Sequence, residues 1–181
     1  SSRTVQSSAN WEKPELKLVE SSMNKYEIVL KIVTPCISSG ANQKSAEFRA
    51  ASVRGQLRHW FRVLNGSRSE ETELFGGISR TDEGRASKII VRIITPQSEI
   101  KTTVKDGQKL SGNRYDYFLW PMRNTNRDPD AGLRGVVEPQ EIRLQIIDTS
   151  KKSNFNNCLK AFLLMGSIGS RSRRAYGSVF P

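Results

Sequence analysis

One histidine and two cysteines are all that 181 residues offer for thiol or imidazole chemistry. Cys36 and Cys158 lie far apart and form no C-x-x-C. That rules out both a disulfide framework and zinc-finger spacing, and a reduced, cytoplasmic setting is expected. His59 has no second histidine with which to share acid and base roles. Asp128 and Asp130 share one polar stretch with no histidine or cysteine beside them, so neither a metal site nor a cofactor is expected. The chain lacks an apolar run near twenty residues and an apolar leader, which predicts neither a membrane span nor a signal peptide. Mean hydropathy is −0.53.

Acid is also scarce. Eighteen Asp and Glu stand against 29 Lys and Arg, a formal charge of +11 with a pI near 10.0. A balance this basic points to a polyanion, most often nucleic acid. The excess is concentrated. Residues 49–62 hold Arg49, Arg54, Arg58 and Arg62, and residues 160–181 hold Lys160, Arg171, Arg173 and Arg174, with no acid in either stretch. A surface built only for solubility would interleave the signs.

The second basic stretch is a loop candidate. Gly166, Gly169 and Gly177 frame Arg171, Arg173, Arg174 and Tyr176 directly after the apolar run Ala161–Met165. Glycine permits close backbone approach, the arginine fork matches phosphate oxygens in pairs, and tyrosine offers a face for a base. A Walker loop needs Gly-Lys-Ser/Thr before a helix, and a dinucleotide loop also opens a helix. Here the loop follows a helical pattern, which excludes both.

The first basic stretch reads as a helix over Arg49–Leu64, with Val53, Leu57, Trp60, Phe61 and Leu64 on its apolar side. Arg54, Arg58 and Arg62 recur at i, i+4, i+8 and stack along one flank with no acid at i±4. Gly55 costs this helix about 1 kcal/mol relative to alanine. Either a ligand backbone or a tight helix–sheet contact would offset that. His59 falls away from the apolar side, beside Ser52 and Gln56, and reads as a phosphate hydrogen-bonding group.

Strands are expected at Tyr26–Thr34, Lys88–Thr95, Tyr115–Trp120 and Glu141–Ile147, with a short edge strand at Glu15–Val19 and a second helix at Asn154–Met165. Residues 1–25 read as a flexible lead-in and 26–181 as one domain. Residues 36–47, 65–86 and 97–113 read as polar loops, and 121–137 as a polar excursion. The order is strand, helix, strand, insertion, strand, helix, glycine loop and a curtailed strand at Ser178–Pro181. Two strand–helix–strand halves predict an α+β ferredoxin-like (RRM-like) fold, an antiparallel sheet with two helices on one face.

Phe48–Arg62, Glu73-Leu-Phe-Gly76 and Gly166–Ser178 together resemble the RAMP superfamily of CRISPR proteins. Within it, the likeness is greatest to the first-numbered subunits of type III-B (Cmr) effector complexes. The resemblance implies a ferredoxin-like fold, binding of guide RNA or its duplex with target RNA, and a place among other RAMP subunits. It implies RNA contacts at Arg49, Ser52, Arg54, Gly55 and Arg58 on the first helix. It implies an RNA-cradling loop of Gly166, Gly169, Arg171, Arg173, Arg174 and Gly177. This chain has Ala-Tyr-Gly where the family usually has Gly-Phe-Gly, and room for about one fold where such subunits have two. Repeat-processing endoribonucleases of the superfamily place a histidine on or near the first helix, which keeps cleavage by His59 as an alternative. Target-cleaving backbone subunits use an aspartate after the first strand, and Cys36–Ala46 contains no acid. A structural module that caps the assembly is a further alternative.

Overall fold

A computed structural model describes residues 18–19, 23–78, 84–106, 132–150 and 152–181. Its main sheet is built on β2 (Asn24–Ile32), β6 (Ile89–Ile93) and β9 (Glu141–Asp148). β9 is central, antiparallel to both β2 and β6. The free edge of β2 is shared by β1 (Leu18–Val19) at one end and β10 (Val179–Phe180) at the other. The order β10-β2-β9-β6 is that of a ferredoxin-like sheet, as the sequence pattern requires. The last strand is present: Val179 pairs with Ile32 and Phe180 with Lys31.

Strict alternation sets the faces. Tyr26, Ile28, Leu30 and Ile32 of β2 and Ile142, Leu144 and Ile146 of β9 point inward. Against them pack α1 (Ala50–Val63), through Val53, Leu57 and Phe61, and α3 (Ser153–Met165), through Phe155, Cys158, Leu159 and Phe162. Each of the larger side chains contributes about 1.5–3 kcal/mol by leaving water. Cys158 Sγ donates to the Leu57 carbonyl at 2.8 Å and ties α3 to α1. Burial pushes both thiols up to about 12, so neither serves as a thiolate nucleophile or ligand at neutral pH.

Three of the expected loops contain structure. Residues 65–86 include α2 (Arg68–Phe75) and a small hairpin of β4 (Gly77–Ile78) and β5 (Gly84–Arg85). Ser67 and Glu70 form a capping box that starts α2, a signal present in the sequence but set in a stretch too polar to show helical periodicity. β3 (Cys36–Ile37), β7 (Thr102–Asp106) and β8 (Leu133–Val137) form a second antiparallel sheet, ordered β3-β8-β7. These strands fall in stretches expected to be loops or a polar excursion. The expected strand at Tyr115–Trp120 lies outside the described residues, as does most of the lead-in.

The Glu73-Leu-Phe-Gly76 motif is a latch. Leu74 and Phe75 enter the core. Glu73 accepts from Lys152 at 2.6 Å and from Lys88 at 2.8 Å, joining α2 to α3 and β6. Those two ammonium groups draw its carboxyl from 4.5 down to about 2. The latch is therefore complete above pH 4.5 and is released as pH falls through about 2.

Candidate nucleic-acid interface

The closing loop is fixed by its own backbone. Gly166 N–H returns to the Phe162 carbonyl at 2.7 Å and ends α3. Ile168 N–H then reaches Gly177 O at 2.8 Å, Ser170 N–H reaches Ile37 O at 2.8 Å, and Gly177 N–H reaches Pro35 O at 2.9 Å. Thr34 Oγ1 donates to the Ala175 carbonyl at 2.7 Å and accepts the Ser178 N–H at 2.9 Å. The loop is thus stitched to the strand end Thr34–Ile37, and its arginines project from a rigid base. Ser172–Arg174 make one 3-10 turn, bracketed by Arg171 at φ 63° and Ala175 at φ 63°. Left-handed backbone costs a non-glycine residue about 1–2 kcal/mol. Strain of this kind is held in place by surrounding structure, here the hydrogen bonds at either end.

The glycines serve the loop's own packing. A Cβ on Gly177 would lie 1.9 Å from Ile168 O, and one on Gly169 would lie 2.6 Å from Ile37 O. Their absent side chains let the chain fold on itself, a role that their packing shows whether or not a partner also approaches. Tyr176 is likewise half-buried against Ile37 and Val136 of the second sheet, and is not a free stacking face.

Gly55 is the opposite case. A Cβ there would meet nothing within 4 Å, so no helix–sheet contact explains it. It lies on the exposed side of α1 near Arg54 and His59, which are also exposed.

Two residues of the arginine stripe, Arg58 and Arg62, turn toward α2. Arg62 grips Glu71 of α2 through Nε and Nη2, both at 2.6 Å. Arg58 Nε lies 3.0 Å from the same carboxylate, and Arg58 also donates to the Gly76 carbonyl. No acid lies at i±4 of these arginines, and Glu71, nine residues beyond Arg62 and on another helix, supplies the partner. Its carboxyl is lowered first by the Arg62 hydrogen bonds. The two arginines line a cleft of about 490 Å³ with Arg68, Thr72, Gly76 and Gly77.

A second cleft, of about 470 Å³, opens on the other flank of α1. Gln56, His59 and Trp60 line it from the helix, Met165 and Ser167 from the end of α3, and Ser172, Arg173 and Ala175 from the loop. Among the described residues, no carboxylate lines this cleft. The two basic stretches of the sequence meet here. Arg173 and Arg174 are exposed, Arg171 is half-buried, and Arg54, Arg171 and Arg173 hold no carboxylate partner among the described residues. Arg49, at the start of α1, makes a long contact to Glu47, at 3.7 Å. Ser52 is half-buried one turn further on. Among the described residues, no group of three His, Cys, Asp or Glu could hold a metal ion.

The profile of the RAMP superfamily matches residues 29–179, from within β2 to the start of β10. The chain belongs to the RAMP superfamily. It is 46% identical over 186 residues to the CRISPR system Cmr subunit Cmr1-2 of Pyrococcus furiosus, covering 85% of this chain and 94% of that protein. Its fold matches the apo crystal structure of Cmr1 from Pyrococcus furiosus at a TM-score of 0.57 and 20% identity. That match covers 86% of this chain and 48% of that one, so the chain spans about half the length of that solved relative. A chain of a type IV-B CRISPR complex matches at TM-score 0.50 and 15% identity, covering 86% and 88%. In this RAMP chain the Ala-Tyr-Gly departure gains a physical reading. Ala175 occupies a left-handed conformation that glycine adopts freely.

Proposed function

We propose that this RAMP chain holds RNA as a subunit of a Cmr-type CRISPR ribonucleoprotein, with guide RNA, alone or paired to target, as ligand and other RAMP subunits as neighbours. One observation carries the reading. The exposed flank of α1 and the arginine turn of the closing loop line a single open cleft that, among the described residues, contains no carboxylate. Such a surface attracts a phosphate backbone. Arg171, Arg173 and Arg174 supply the phosphate forks, and Arg49, Ser52, Arg54 and His59 extend the track along α1. Arg58 and Arg62 line the cleft on the other flank of α1 and are engaged by Glu71, so their share is smaller. The 46% identity to a Cmr subunit over most of both chains supports the assignment to this kind of complex.

Gly55→Ala separates fold from function. Alanine at an open helical position is expected to raise stability by about 1 kcal/mol, read as a higher urea midpoint. If RNA lies against α1, the added methyl weakens binding of a single-stranded RNA about fivefold, the effect of ~1 kcal/mol. A stability gain with unchanged RNA affinity would contradict contact along the helix.

A further inference from the structure

The loop-side cleft is richer than a phosphate track requires. Phosphate recognition needs guanidinium, hydroxyl and N–H groups. This cleft adds an indole, an imidazole and a thioether: Trp60, His59 and Met165. The Trp60 and His59 rings lie 5.9 Å apart at 69°, two walls of a corner. Met165 is 62% exposed at the end of α3, an apolar side chain left in water beside that corner. Gln56 places an amide, both donor and acceptor, in the same lining. The volume of about 470 Å³ falls within the roughly 300–1,000 Å³ of small-ligand sites. Among the described residues, the cleft on the other flank, lined by Arg58, Arg62 and Glu71, has no aromatic side chain.

We infer that the loop-side cleft takes one unstacked nucleobase of a single-stranded RNA, with the adjoining phosphate on Arg173. This rests on the RNA-binding reading above and assigns that site a ligand class. Trp60 or His59 provides the stacking surface, the Met165 sulfur lies against the ring, and Gln56 meets the base edge. A base within a duplex is stacked and paired, and extruding it costs a few kcal/mol. The cleft therefore favours RNA that is unpaired at this point.

The test compares two oligomers of equal length and equal phosphate number, an oligouridylate decamer and its fully abasic ribose-phosphate counterpart. Equal charge makes the backbone attraction equal. The wild-type chain is expected to bind the oligouridylate at least about tenfold more tightly, the scale of one aromatic–base stack. Trp60→Ala should close most of that gap. Trp60 also touches the core, so Met165→Ala, at an exposed position, is the control for folding. It should weaken oligouridylate binding about threefold and leave the abasic oligomer unchanged. Equal wild-type affinity for the two oligomers overturns the base site while leaving RNA binding intact. A gap that survives both variants overturns its location. Binding of neither oligomer overturns the RNA reading and this inference with it.

Discussion

Gly177→Ala is expected to destabilise the fold by about 3 kcal/mol and to abolish RNA binding by the closing loop. Two costs add. Gly177 sits at φ 65°, where an L-residue gives up about 1–2 kcal/mol. The new Cβ would also fall 1.9 Å from Ile168 O, a backbone atom that cannot swing aside as a side chain would. Relief requires breaking the Ile168–Gly177 and Gly177–Pro35 hydrogen bonds that hold the arginine turn. For a chain of this length, 3 kcal/mol corresponds to a fall of about 6–12 °C in Tm. Gly84→Ala is the control, since a Cβ there meets nothing within 4 Å. Equal Tm values for the two variants would contradict the loop geometry.

Glu71→Ala is expected to cost about 2 kcal/mol, read as a lower urea midpoint at unchanged slope. Glu71 is 8% exposed and receives both Arg58 and Arg62. Its loss leaves the half-buried Arg58 without its anion and unfastens α2 from α1. The full penalty for breaking a buried pair is reduced because the Arg62 side chain is 61% exposed to water. The same variant releases two guanidinium groups. RNA affinity should then hold or rise, whereas a fall would mean that Glu71 orders the RNA surface.

The sheet and its two main helices were legible because apolar residues repeat with period 2 in Tyr26–Thr34 and Glu141–Ile147 and with helical period in Arg49–Leu64. The elements that escaped are short, polar, or without apolar periodicity. α2 announces itself only by its Ser67 and Glu70 cap, and β7, Thr102–Asp106, is largely exposed and follows no buried alternation. The site was half legible. Composition marked both arginine stretches, but local spacing could not reveal Glu71, which reaches Arg62 from α2, nor that Gln56, Trp60 and Met165 turn toward the loop. Those relations depend on how α1 is rotated against the sheet. The loop glycines were read as an approach path for a ligand, and tertiary contacts show them closing the loop on itself.

The central claim is that the arginine turn of the closing loop grips a phosphate backbone. Its most direct test is the salt dependence of single-stranded RNA binding, measured by fluorescence anisotropy, for the wild type and for the triple variant Arg171→Ala, Arg173→Ala, Arg174→Ala, with circular dichroism to verify the fold. Each neutralised phosphate contributes roughly 0.7 to the log–log slope on a single strand. The expected result is a slope flatter by about 2 in the triple variant, with weaker affinity at low salt. A slope identical to that of the wild type would contradict it.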